Sequence, residues 1–209
     1  LAVFAGLAFP HASKIIAILK FPASGMIDRL VFFNPADAFM AHVKVSFFAG
    51  AVASLPVILY QLWAFLSPAI EDRIRRRGAG FLISSIGAFT CGSAFGFFIL
   101  LPAALKFLLG FSRESLEPMI SVSSYTSFAL GLTLGSGLVF EMPVLSFLLS
   151  KMGIINYRVL RRAWKYAVIA IFIIAAIVTP TPDIFNMTIL AIPMLFLYEL
   201  SIWVSKFCG

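Results

Sequence analysis

Long apolar runs alternate with short segments that hold most of the charged residues, along almost the whole chain. An apolar run of about 20 residues can cross a bilayer core as a helix, and a helix satisfies its own backbone hydrogen bonds in lipid. The pattern therefore predicts an all-α, polytopic membrane protein. We expect a bundle of six transmembrane helices in a single domain that covers residues 1–209.

The boundaries of these helices follow from the apolar runs and from capping residues. Residues 1–10 are too short to span a membrane, so we interpret them as the end of a first helix truncated at its start, followed by an irregular loop over 11–33. Asn34 is a plausible N-cap and Pro35 a first helical residue, whereas Pro102 should mark the end of the third helix. The remaining predicted helices cover residues 35–66, 79–101, 123–151, 166–178 and 184–204.

The composition supports this prediction. The chain is 61% hydrophobic and 12% charged, whereas soluble domains carry about 25% charged residues. Its net charge of +7 does not indicate nucleic-acid binding, because the bases lie between hydrophobic runs. The segments 67–78 and 151–165, with Lys206, hold ten of the sixteen bases. Since cytoplasmic loops are rich in Lys and Arg, we expect these segments and both termini to be cytoplasmic.

One acidic residue stands out as candidate chemistry. Glu141 is the one formal charge between residue 123 and Lys151. It lies ten residues before Lys151, which is about 15 Å along a helix and therefore near the bilayer midplane. A charge there costs at least about 2.5–3.5 kcal/mol, so such acids are functional by default. Pro143 should bend the helix beside the acid, and glycines before it allow close helix packing. Together these features predict a contact site inside the membrane.

Other readings of these residues remain open. Glu141 is alternatively a structural acid satisfied inside the bundle, and Glu199 near the end of the last helix most simply reaches the membrane interface. Cys91 and Cys208 are far apart in sequence and suggest neither a disulfide nor a metal site. No HExxH, GxSxG or phosphate-loop motif is present, so nothing supports an enzyme or a cofactor. A small-solute or proton-coupled secondary transporter, and a scaffold without transport activity, are the alternative functions.

Five segments occur in a characteristic order and spacing: LPVILYQLWAFLSPAI at 55–70, GLVFEMP at 137–143, KMGIIN at 151–156, VTPTPDIFN at 178–186 and LAIPMLFLYEL at 190–200. Together they resemble the TatC family, the polytopic subunit of the twin-arginine protein translocase. The resemblance covers essentially the whole chain from residue 34. It implies a multi-pass protein of the cell inner membrane that is not an enzyme.

The resemblance also implies function and partners. Family members bind twin-arginine signal peptides and move folded proteins across the membrane with the proton-motive force. Their partners are single-helix proteins of the TatA and TatB types, and we also expect self-association and contact with membrane lipid, but not with nucleic acid. The resemblance implies three sets of site residues. A cytoplasmic signal-peptide site would comprise Phe65, Glu71, Asp72, Arg75 and Arg76. A partner-helix contact would comprise Phe140, Glu141 and Pro143, and Asp183 would be an acid on the external side.

One position departs from the family pattern. The family usually carries a glutamate six residues after the position of Pro68, where this chain has Ile74. Carboxylates suit arginine pairs, because the guanidinium fork binds them bidentately. Glu71 and Asp72 lie three and two residues earlier and are the candidates to replace that glutamate.

Overall fold

The computed structural model describes residues 2–24, 26–27, 30–69, 78–110, 119–178 and 184–208. Within them, five helical stretches are long and apolar enough to cross a membrane, and a sixth apolar helix, Trp164–Ile177, is shorter. The predicted all-α architecture with six apolar helices is therefore confirmed. The five long stretches are Val3–Ala23, Pro35–Phe65, Gly78–Gly110, Val122–Lys151 and Met187–Lys206.

The first apolar stretch corrects the prediction of a loop after residue 10. Helix α1 (Ala2–Ala8) continues through the 3-10 turn Phe9–His11 into α2 (Ala12–Lys20) and a second 3-10 turn. Pro10 lies in the first turn of a 3-10 segment, a position that accommodates the fixed φ of proline. The proline therefore does not end the helix.

Helix α3 (Pro35–Leu66) begins at the predicted residue, directly after Asn34. The carboxylate of Asp37 reaches back and accepts hydrogen bonds from the N–H groups of Phe33, at 3.2 Å, and Asn34, at 3.4 Å. This arrangement satisfies amides at the helix start, as the acidic half of a capping box does. Asn34 therefore lies at the predicted N-cap position, and the Asp37 side chain satisfies its N–H.

The next stretch also continues past a proline. Helix α4 (Gly78–Phe95) is followed by a π-helical turn, Gly96–Leu100, and by α5 (Leu101–Gly110). Pro102 has no N–H for the regular hydrogen bond, and the wider turn, in which Leu101 N–H bonds to Gly96 O, accommodates it. The predicted helix end at Pro102 is therefore wrong, because the helical stretch continues to Gly110.

The second half of the chain holds five helices and a structured basic segment. The predicted loop at 151–165 contains a short helix, which Asn156 caps through a 3.0 Å hydrogen bond from the Val159 N–H to its Oδ1. Gly153 precedes it with φ +71°, a conformation that glycine adopts without strain. The five helices are α6 (Val122–Phe140), α7 (Met142–Lys151), α8 (Tyr157–Arg162), α9 (Trp164–Val178) and α10 (Ile184–Cys208).

The chain divides into two compact units. The first comprises residues 1–55 and 94–134. In it, the strands β1 (Leu30–Val31) and β2 (Ile120–Ser121) pair in parallel. The buried Tyr125 hydroxyl donates to Leu19 O at 2.5 Å, and Lys44 Nζ donates to the hydroxyls of Ser123 and Ser127 at 2.9 and 2.7 Å. These bonds satisfy polar groups between the helices of this unit.

The second unit comprises residues 56–93 and 135–209 and carries the candidate site. Its apolar core includes the stacked rings of Trp63 and Phe81, with centroids 4.9 Å apart, packed with Leu148. The hydroxyl of Ser150 donates to that of Ser205 at 2.7 Å, which ties α7 to α10. These contacts fix the helices that surround Glu141.

Candidate functional site

The helix that contains Glu141 is interrupted at this residue. Glu141 lies between α6 and α7 as the N-cap of α7, and Pro143 occupies its first turn. Because Pro143 has no N–H, the carbonyl of Val139 loses its regular partner and the helix is interrupted there. The interruption lies beside the acid, where Pro143 was predicted to bend the helix.

The Glu141 carboxyl lies inside the second unit and has one clear partner. Its side chain is 6% exposed, and Oε2 accepts a 2.5 Å hydrogen bond from the hydroxyl of the fully buried Ser85 on α4. Oε1 is buried without a hydrogen-bond partner among the described residues. The carboxyl thus keeps one oxygen able to accept a hydrogen bond from a group outside these residues.

Two glycines bring α4 and the end of α6 together. A Cβ added at Gly92 would lie 2.6 Å from Ser136 O and 2.7 Å from Phe140 Cβ, and one added at Gly137 would lie 2.6 Å from Ser93 Oγ. Each glycine therefore lies against the opposite helix, as small residues do at membrane helix contacts. This close approach places Ser85 within reach of Glu141.

Two more hydroxyls near this crossing are buried without partners. Ser93 Oγ and Ser136 Oγ have no hydrogen-bond partner within the described ranges. A buried polar atom without a partner in lipid is costly, so such atoms mark places where water or a polar group of another chain can bind. With Glu141 Oε1, they form a set of unsatisfied polar atoms that we call the Glu141 site.

The predicted partner-contact residues are close together but mostly turned inward. Pro143 is buried like Glu141, and Phe140 is half-buried against Gly92. Phe65 is 80% exposed near the end of α3. The remaining predicted residues, Glu71, Asp72, Arg75, Arg76 and Asp183, lie outside the residues that the structure describes.

The second acid in an apolar helix has a partner near the helix end. Arg161 Nη1 on α8 contacts both carboxylate oxygens of Glu199 at 2.8 and 2.9 Å. Tyr198 donates to Leu160 O at 2.8 Å, so α8 is attached to α10 at two points. This pairing agrees with the simpler reading of Glu199 as a structural acid near the interface.

Sequence reasoning missed Ser85, because a single serine in an apolar run carries no signal of its partner. The partner, Glu141, lies 56 residues further along the chain. Across the described parts of the chain, no group of three His, Cys, Asp or Glu side chains is placed to hold a metal ion.

Comparison with known proteins gives consistent results at three levels. The family model described as "TatC: Sec-independent protein translocase protein (TatC)" matches residues 1–193. A protein of that name from Koribacter versatilis is 43% identical over 189 residues, which cover 90% of this chain and 69% of the relative. The one from Aquifex aeolicus is 38% identical over 205 residues, covering 96% of this chain and 85% of the relative.

A solved structure is similar over nearly the entire chain. The structure titled "Crystal Structure of Twin Arginine Translocase Receptor- TatC" superposes with a TM-score of 0.87 and 37% identity. The match covers 99% of this chain and 92% of the crystallised one.

Proposed function

This chain belongs to the TatC family of Sec-independent protein translocase proteins, and from that premise we propose that it is the receptor and core subunit of a twin-arginine translocase. In this role it binds twin-arginine signal peptides. With single-helix partners of the TatA and TatB types, it moves folded proteins across the cell inner membrane using the proton-motive force. The observation that carries the proposal is the similarity to a solved translocase receptor over 99% of the chain.

The signal-peptide site is proposed at the end of α3 and in the polar segment that follows it. Phe65 is 80% exposed there, which leaves its ring available to a ligand, and an arginine stacks favourably on an aromatic face. Glu71 and Asp72 supply carboxylates, which bind guanidinium groups bidentately. Arg75 and Arg76 follow them, and lie within the proposed site as sequence neighbours.

A binding experiment tests this site. We expect a labelled twin-arginine peptide to bind the full chain in lipid nanodiscs, and a twin-lysine peptide to bind about tenfold or more weakly, since lysine lacks the guanidinium fork. Phe65→Ala should weaken peptide binding, whereas Phe196→Ala, which removes another exposed ring, should not. Equal affinity for both peptides would contradict the receptor role.

The partner contact is proposed at the Glu141 site, with Phe140 and Pro143 beside it. The Ser85 hydroxyl already donates a hydrogen bond to Oε2 of Glu141, so a polar group of a partner helix would donate to Oε1. Glu141→Ala should therefore reduce co-purification of a TatA- or TatB-type protein. Glu199→Ala is the matched control, because it removes another acid of the second unit, one whose partner is Arg161. Unchanged recovery with Glu141→Ala would count against the contact.

The arrangement in the membrane is also part of the proposal. Residues 1–209 act as a single transmembrane domain, with both termini on the cytoplasmic side, because most bases lie in segments that this orientation makes cytoplasmic. Asp183 then lies on the external side. A reporter fused after Lys206 should report a cytoplasmic location, and an external location would overturn this orientation.

A further inference from the structure

A cavity opens beside the short helix α8 and the start of α9, away from the Glu141 site. Its volume is about 400 Å³, within the range that small-molecule sites occupy. Two arginines, two other polar residues and two apolar residues form its wall. The lining residues are Asn156, Arg158, Val159, Arg162, Ala163 and Tyr166.

Among the residues that the structure describes, neither arginine in this wall has an acidic partner. Arg158 and Arg162 are four residues apart on α8, which places them on one face of the helix. Both are exposed, and in the described part of the chain the ion pair of this helix is made by Arg161, with Glu199. Arg161 is thus satisfied by an acid, whereas its two neighbours keep their positive charge for a ligand.

Local hydrogen bonds orient the polar groups but leave donors available. Arg158 Nε donates to the Tyr157 hydroxyl at 3.2 Å, and its guanidinium carbon lies 5.7 Å from that ring centroid. This hydrogen bond uses Nε of the guanidinium group and leaves its two terminal nitrogens able to donate to a ligand. Asn156 accepts the capping bond through its Oδ1, so its amide NH₂ remains a donor beside the arginines.

The position of the cavity along the helices indicates what it faces. The apolar helix α9 begins at Trp164, directly after the cavity, and Trp164 and Tyr166 are 43% and 75% exposed. Exposed Trp and Tyr at the start of a membrane helix lie at the level of the lipid headgroups. The cavity therefore opens where headgroup phosphates are, and basic pockets at this level bind anionic headgroups.

We propose that this cavity binds the phosphate of an anionic phospholipid headgroup, with Arg158 and Arg162 as the principal ligands and the Asn156 amide as an additional donor. A phosphodiester presents oxygens that match the guanidinium fork. The acyl chains of the lipid would extend along the exposed face of α9.

Native mass spectrometry of the full chain in dodecyl maltoside micelles tests the proposal. We expect phosphatidylglycerol to bind more tightly than phosphatidylcholine. The double variant Arg158→Gln/Arg162→Gln should lose about tenfold or more in affinity for phosphatidylglycerol, because two charged hydrogen-bonding groups are removed. Lys106→Gln/Lys165→Gln is the matched control, since it removes the same charge from exposed residues outside the cavity lining.

Each result supports or overturns the assignment. An equal loss in both double variants would show that binding follows overall charge rather than this cavity. Displacement of the lipid by millimolar inorganic phosphate would show a free-anion site instead of a lipid site. Retention of affinity in Arg158→Lys/Arg162→Lys, together with loss in the Gln variant, would support a charge requirement at this cavity. Tighter binding of an acidic peptide than of the lipid would overturn the lipid as ligand.

Discussion

The close contact of α4 with the end of α6 can be tested by adding one methyl group at Gly92. In the structure, an alanine Cβ at this position would lie 2.6 Å from the backbone oxygen of Ser136 and 2.7 Å from Cβ and Cγ of Phe140. Ordinary van der Waals contact begins near 3.4 Å, so the two helices would have to separate by about 0.8 Å. The nearest atom belongs to the backbone, and a rotamer change cannot relieve the clash.

The expected free-energy cost of this clash exceeds the intrinsic preference of a helix for alanine over glycine. Alanine is favoured over glycine in a helix by about 1 kcal/mol, whereas overpacking costs about 1–3 kcal/mol. We therefore expect Gly92→Ala to be destabilising. In a chain of this size, each kcal/mol corresponds to about 2–4 °C in melting temperature, so a decrease of several degrees is expected.

The melting temperatures of the variants can be measured by thermal unfolding in detergent, with size-exclusion chromatography as the readout. Gly87→Ala is the matched control on the same helix, because nothing lies within 4 Å of its added Cβ. Gly137→Ala should be intermediate, because its nearest contacts are side-chain atoms of Ser93 and Phe89, which can move. The expected order of stability is therefore Gly87→Ala, then Gly137→Ala, then Gly92→Ala.

Two results would refute this reasoning. Equal melting temperatures for Gly92→Ala and Gly87→Ala would mean that the helices do not approach as closely as the structure shows. A larger loss for Gly137→Ala than for Gly92→Ala would mean that the side chains around Gly137 are more rigid than the backbone at Ser136.

The same unfolding assay checks three further predictions. Ser85→Ala removes the hydrogen bond to Glu141 and should cost about 0.6–1.7 kcal/mol, while the exposed Ser84→Ala should have no effect; equal values would argue against that bond. Trp63→Ala leaves a cavity in the core of the second unit and should cost about 3 kcal/mol or more, so a wild-type melting temperature would contradict the observed stacking. Arg161→Gln breaks an exposed ion pair and should cost less than about 1 kcal/mol; a larger loss would show that the pair is desolvated.

The sequence predicted helix positions best where apolar runs and start signals agree. Helix α3 begins at Pro35 as expected, and the helix is interrupted at Glu141, beside the proline that was predicted to bend it. The errors at Pro10 and Pro102 share one physical cause. In each case a local 3-10 or π turn removes the conflict between the proline and the helix, and residue order alone does not show which turn forms.

The contacts of the candidate site were less predictable than the helices. Glu141 is visible in the sequence because an acid in an apolar run is unusual, but Ser85 is an ordinary residue of membrane helices. Which serine faces the acid depends on how α4 crosses the end of α6, and that crossing is set by Gly92 and Gly137. The cavity beside α8 was missed because its segment was predicted as a basic loop, and only the helical turn places Arg158 and Arg162 on one face.

The helix contact at Gly92 and the environment of Glu141 therefore depend on each other. Close packing at Gly92 holds Ser85 against Glu141, and the Ser85 hydroxyl satisfies one carboxyl oxygen in an apolar environment where a wholly unpaired acid would be costly. The remaining oxygen keeps its capacity to accept a hydrogen bond. A partner helix that donates to Oε1 would leave the Ser85 bond in place, but because Oε1 is buried, the helices around it would have to move apart to admit the partner group.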